Sequence, residues 1–161
     1  MIVFSYAWLR YRLVELAVAF IIMASALYVT DYIQQRSRAD VPAANWFTVN
    51  DIYIPDFKLG ENPVMTYDRT IKEPFRGFWV IELERFLPDG RTVLECSGSG
   101  VNDYEVTDYI PENTVSFEWF IGKRCDLIPP GSYRIRGSWK MKRDGWPDKQ
   151  VIRYSNLFTI R

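Results

Sequence analysis

The sequence predicts a mainly β protein, in which one N-terminal transmembrane helix precedes an antiparallel β-sandwich of about seven strands. Three observations carry this. From Leu13 to Thr30 the chain runs 18 residues with Glu15 as its single charge. After residue 45 come short stretches of alternating polar and apolar residues, separated by turn signals. No segment between those stretches carries a helical apolar period. The 161 residues are 48% hydrophobic and 16% aromatic, which suffices for one packed domain and an appendage.

The helix comes first. Eighteen residues at ~1.5 Å each reach about 27 Å, close to the ~30 Å of a bilayer core. Aromatic residues bracket the run, with Tyr6, Trp8 and Tyr11 before it and Tyr28 and Tyr32 after it, as expected where rings settle at the two interfaces. Glu15 lies at the edge, one turn beyond Arg12, where an i, i+3 pair keeps it near headgroup water. Two fates fit the segment. Ala24-Ser25-Ala26 has the small-x-small pattern of a signal peptidase site, so cleavage after Ala26 is one. The apolar run continues through Leu27, Tyr28 and Val29, which favours an anchor that is kept.

The resulting division is a cytoplasmic segment at 1–12, an anchor helix at 13–33, a polar tether at 34–45 and the sandwich domain at 46–161. Arg10 and Arg12 before the span balance Arg36 and Arg38 after it. The first pair lies nearer the apolar edge, which favours a cytoplasmic N-terminus and a domain outside the cytoplasm. The expected location is the inner membrane, with the lipid bilayer as partner of the helix.

The strands follow in order: 46–54, 64–71, 75–86, 92–98, 115–121, 132–142 and 151–160. Leu87-Pro88-Asp89-Gly90 marks a hairpin between the third and fourth. In the sixth, Tyr133, Ile135, Trp139 and Met141 share one face, and Arg134, Arg136, Lys140 and Lys142 the other. In the third, Trp79, Ile81 and Leu83 oppose Glu82 and Glu84. Nine acidic residues between Glu82 and Glu118 stand against Arg85 and Arg91, and seven basic residues between Arg134 and Arg153 against Asp144 and Asp148. Pairing across neighbouring strands accounts for this asymmetry, and a basic binding stripe is the alternative. The net charge is zero, so no overall field draws the chain to nucleic acid.

The stretch "LIPPGSYRIRGSW", with the last strand "SNLFTI", resembles the Pro-Gly-x-Tyr entry to the penultimate strand of many bacterial and phage immunoglobulin-like domains. The resemblance implies an immunoglobulin-like sandwich over 46–161, with Tyr133 packed at its corner. The layout as a whole is similar to small phage or prophage single-pass membrane proteins carrying such a domain. Antibody-type domains spread Cys, core Trp and Cys over three strands, whereas Cys96, Trp119 and Cys125 fall within 30 residues here.

Chemistry is sparse. The absence of histidine removes the commonest general base and the Ser-His-Asp arrangement. Gly98-Ser99-Gly100 is not a nucleophile elbow, and no phosphate loop or dinucleotide fingerprint occurs. Cys96 and Cys125 form a disulfide in an exported domain, with two inert thiols as the alternative. Asp103, Glu105, Asp108 and Glu112 suit a solvated loop better than a calcium site or an acid pair. By alternation Phe78, Phe86 and Phe120 point outward, and Trp146 sits in the loop "RDGWPD". These four are the candidate binding surface, unless the N-terminal strand and tether cover them.

The function expected is therefore a membrane-anchored, extracytoplasmic binding module without catalysis, cofactor or metal, whose partner is a protein of the envelope or a virion. A secreted sugar-binding or virion-decorating module is the alternative if Ala26 is a cleavage site, and a carboxylate-based envelope enzyme is a third reading.

Overall fold

The computed structural model describes residues 3–106, 114–121, 125 and 128–161. It divides into two units, 1–40 and 41–161.

The first unit is one helix, α1 (Val3–Asp40), of 38 residues. Within it lies a stretch long and apolar enough to cross a membrane, with none of its side chains buried against protein. Arg12 pairs with Glu15 at 3.1 Å, as the i, i+3 spacing predicts. The predicted tether is corrected here, because the helix continues through Gln34–Asp40 before it stops. Gln34, Gln35, Arg36 and Ala39 are all good helix formers, and no Gly or Pro intervenes until Pro42. Proline pushes the residue before it out of the α region, so the helix ends ahead of Val41.

The second unit is an antiparallel two-sheet sandwich. One sheet has the order β1-β2-β5, from β1 (Phe47–Tyr53), β2 (Val64–Ile71) and β5 (Thr114–Ser116). The other has the order β4-β3-β6-β7, from β3 (Phe75–Phe86), β4 (Thr92–Tyr104), β6 (Gly131–Lys142) and β7 (Lys149–Tyr154). The short β8 (Phe158–Ile160) pairs with the start of β6. The predicted hairpin joins β3 to β4, with Gly90 N–H bonded to Leu87 C=O at 3.0 Å and Gly90 at φ 83°.

Three strands differ from expectation. β4 runs six residues past Ser97-Gly98, to Tyr104, because β3 offers twelve residues and β4 pairs along all of them. The fifth stretch is a three-residue strand followed by the helix α2 (Phe117–Ile121). Phe117, Phe120 and Ile121, at i, i+3 and i+4, form one buried face of it, and this helical spacing outweighs the alternation assumed for a strand. The seventh stretch breaks between β7 and β8. There the Asn156 side chain accepts from Ile54 N–H and donates to Ile54 C=O, both at 2.8 Å, and the Ser155 hydroxyl accepts from Ile135 N–H at 2.9 Å.

β6 and β3 bear out their alternation. Tyr133, Ile135, Trp139 and Met141 are buried, as are Ile81 and Leu83, while Trp79 is half-buried. They meet Phe47, Val49, Ile52 and Met65 of the smaller sheet to form the core. Aromatic rings dominate it, with Tyr67 stacked on Trp139 at 5.8 Å and Phe47 against Phe75, Tyr104 and Trp139. Each such side chain removed from water contributes about 1.5–3 kcal/mol. Along one side the sheets are tied where Arg153 Nε donates to Val49 C=O at 2.8 Å.

Candidate interaction surface

Register decides which residues share the outer face of the five-stranded sheet. Val101, Phe78, Lys140 and Gln150 form one cross-strand row, and Ser99, Val80, Ser138 and Ile152 the next. Below them run Ser97, Glu82, Arg136 and Tyr154, then Leu94, Glu84 and Arg134. The upper rows are an apolar patch floored by serines, with Val80, Val101 and Ile152 exposed at 38%, 45% and 38%. The lower rows are ionic. Arg134 bonds Glu84 at 2.8 Å, and Arg136 bonds Glu82. The predicted pairing of the acidic and basic stretches is thus present, and its hydrogen bond from Arg136 to Glu82 holds the guanidinium above its ordinary pKa.

The four predicted surface aromatics separate. Phe78 and Phe86 do lie on this face, half-exposed, each with a cation over its ring: Lys142 at 5.2 Å from Phe78, and Arg134 at 5.2 Å from Phe86 and 4.3 Å from Tyr154. Phe120 is corrected. It is 4% exposed, on the buried side of α2, 5.4 Å from Tyr67. Trp146 is half-buried and packs edge-on against Trp46 at 5.3 Å, so it closes one end of the core. The exposed tryptophan of this region is Trp119, at 66%.

A second feature lies between the sheet edges. Glycines open the inner side of β4 here. A Cβ at Gly98 would come within 2.8 Å of Ile121 O, and one at Gly100 within 2.5 Å of the Trp79 ring. Beside them a cavity of about 30 Å³ is lined by Tyr67, Arg69, Asn102, Tyr104 and the rings of Trp79, Trp119 and Trp139. An open groove of about 530 Å³ shares Arg69, Asn102 and Tyr104 with it. The Arg69 guanidinium lies 5.3 Å from the ring centres of both Tyr67 and Tyr104. Among the described residues the Tyr67 hydroxyl and Arg69 Nε are sealed from solvent, and Arg69 acts on the hydroxyls of both Tyr67 and Tyr104. Burial pushes both tyrosine hydroxyls above the ordinary range, with Arg69 opposing the shift.

Cys96 of β4 and Cys125 beyond α2 are disulfide-bonded, with Cα atoms 5.7 Å apart, which fixes α2 against β4. Of the acidic stretch, Asp103 lies 4.0 Å from Arg76 and Glu105 is exposed, while Asp108 and Glu112 lie outside the described residues. Among the described residues no three His, Cys, Asp or Glu side chains group to hold a metal ion. Sequence reasoning missed Val80, Val101, Ile152 and Tyr154, which only strand register brings together, and the Tyr67–Arg69 pair. An i, i+2 Tyr-x-Arg on an otherwise core-facing strand was the available signal for the last. No family model, curated protein or solved structure matches the chain.

Proposed function

We propose that this chain is a membrane-anchored binding module, held in the inner membrane by α1 with its sandwich outside the cytoplasm, and that it acts by capturing a protein of the envelope or a virion. The observation that carries the reading is the outer face of the five-stranded sheet. Val80, Val101 and Ile152 are exposed beside Phe78 and Tyr154, on a face bordered by the Arg134–Glu84 and Arg136–Glu82 ion pairs. Apolar contact at the centre with polar groups at the rim is how protein-binding patches concentrate their energy. The disulfide supports an oxidising compartment. An immunoglobulin-like, phage-type origin accords with the resemblance around Tyr133.

The test places a photo-crosslinking amino acid at Val80 or Ile152 of the full chain in its native membrane, with Tyr53, 50% exposed on β1, as control. A discrete crosslinked product from the first two positions and none from Tyr53 is expected. Equal products from all three, or none, would overturn the reading.

A further inference from the structure

We propose that β4 pairs edge to edge with the β4 of a second copy of this chain, antiparallel about Gly98, so that two sandwiches share one continuous sheet. The first observation is that this edge is open. β4 ends its sheet, and among the described residues no backbone group pairs with its outer edge. Long edges are usually blunted by lysine, proline or a covering element. From Cys96 to Asn102 the strand has no charge and no proline, and Ser97 and Ser99 are exposed. α2 lies over the inner side, where a Cβ at Gly98 would meet Ile121 O at 2.8 Å, so a further strand enters in the plane of the sheet. The opposite end of the sheet differs, because there Arg153 of β7 is tied to Val49 C=O of β1 at 2.8 Å.

The second observation is that the edge matches itself. β3 fixes the register of β4, with Val101, Ser99, Ser97 and Leu94 opposite Phe78, Val80, Glu82 and Glu84 on the outer face. The extra residue at Glu95 is what keeps Leu94 on that face. Along the edge the order is apolar, serine, serine, apolar, the same from either end. A two-fold axis through Gly98 therefore sets Val101 against the partner's Leu94 and Ser99 against the partner's Ser97, and repeats both pairs beyond the axis. Val101 and Leu94 are 45% and 55% exposed in the single chain, and each gains an apolar neighbour at the ~4.5–5.5 Å of a cross-strand pair. On the inner side Gly98 meets Gly98 and Gly100 meets Cys96, all small. Charge agrees with this register. Asp103 falls opposite the partner's Thr92, at the far end from the partner's Asp103, and Glu95 is held by Arg85 of its own chain. An axis at Gly100 instead sets Val101 against serine and Ser97 against Asp103.

The inference goes beyond the binding-module reading and does not depend on it. It is tested on the full chain in detergent micelles, with Leu94→Cys and Val101→Cys chains co-expressed under different tags and treated with a short bis-maleimide. The mixed product should dominate, because like positions lie about 20 Å apart across the axis, six strand residues at ~3.4 Å each. Cys96 and Cys125 are bonded to each other and offer no thiol. Ser97→Lys with Ser99→Lys places lysines opposite one another twice and should weaken dimerisation at least about tenfold in sedimentation equilibrium. The near-ultraviolet circular dichroism of that variant should stay that of wild type, since both positions are exposed. Amides at 96–100 should exchange more slowly as protein concentration rises. A chain that stays monomeric would overturn the proposal. So would a dimer that survives both lysines and gives no mixed product, which would place the contact on α1 or elsewhere on the sandwich. Self-linked products as abundant as the mixed one would reject the register and the proposal with it. If Val80 and Ile152 crosslink nothing but this chain while the mixed product forms, the pairing stands and the module reading falls.

Discussion

Trp139 is 2% exposed, stacked on Tyr67 and tilted against Phe47, so its ring serves both sheets at once. Trp139→Ala should cost about 3–5 kcal/mol in urea unfolding, and Phe120→Ala should fall in the same range, because both leave a cavity in packed aromatic surroundings. Phe78→Ala, by contrast, should lower stability by about 1 kcal/mol or less while weakening partner capture, since its ring meets Lys142 and solvent. A Phe120→Ala variant as stable as wild type would contradict the buried placement. Tyr133 adds a pH dependence. Its hydroxyl donates to Pro129 C=O in a buried site, and burial, aided by Glu95 and opposed by Arg85, pushes its pKa up to about 12. The unfolded phenol ionises near ~10, so the folded state holds its proton more tightly. The corresponding stability is whole below that value and is lost as pH rises from ~10 to about 12. Tyr67 and Tyr104 shift in the same direction. Urea midpoints should therefore fall through this alkaline window, less steeply in Tyr133→Phe, and a flat profile would refute the assignment.

Among the elements, β6 was legible because strict alternation has one strand solution, and a one-residue slip would turn Tyr133, Ile135 and Trp139 into solvent. β3 and its hairpin were legible for the same reason, together with the turn chemistry of Pro88-Asp89-Gly90. The stretch "VSFEWFI" was not, because a short apolar run fits a strand or a helix equally until it is known which residues meet a core. Phe120 was misplaced with it. The outer-face patch was half legible. Alternation within β3 delivers Phe78 and Phe86, whereas Val101 and Ile152 join them through registers set by residues far away in the chain. The disulfide ties β4 to the segment after α2 across a sequence separation of 29, and by loop entropy such a link stabilises by roughly 3–4 kcal/mol. Cys96→Ser with Cys125→Ser should lower unfolding stability by that amount and loosen α2. Two alkylatable thiols in protein taken from its native compartment would contradict the bond there. The ion pairs matter less. Glu82→Gln should change stability by less than about 1 kcal/mol, because its pair with Arg136 is partly solvated.

For the molecule as a whole, the reading of α1 as a retained anchor predicts sedimentation with membranes, resistance to carbonate extraction and an N-terminus still upstream of Leu27. Mature chains starting at Leu27 would replace the anchor with a signal peptide. The strand order carries one more consequence. β3 holds the centre of its sheet, yet its partner β6 follows only after a long intervening stretch, with Glu84 and Arg134 fifty positions apart in sequence. β8, which closes the sandwich, lies at 158–160, where Phe57 N–H donates to Thr159 C=O and Arg161 N–H donates to Phe57 C=O. Synthesis delivers these strands in sequence, so the β3–β4 hairpin forms early and waits with the other edge of β3 unpaired until β6 emerges. Closure of the long-range pairs is slow by topology alone. The growing polypeptide is thus sticky until residue 160 has emerged, and a stall or truncation shortly before that point leaves a half-sandwich suited to aggregation or proteolysis rather than a smaller working domain.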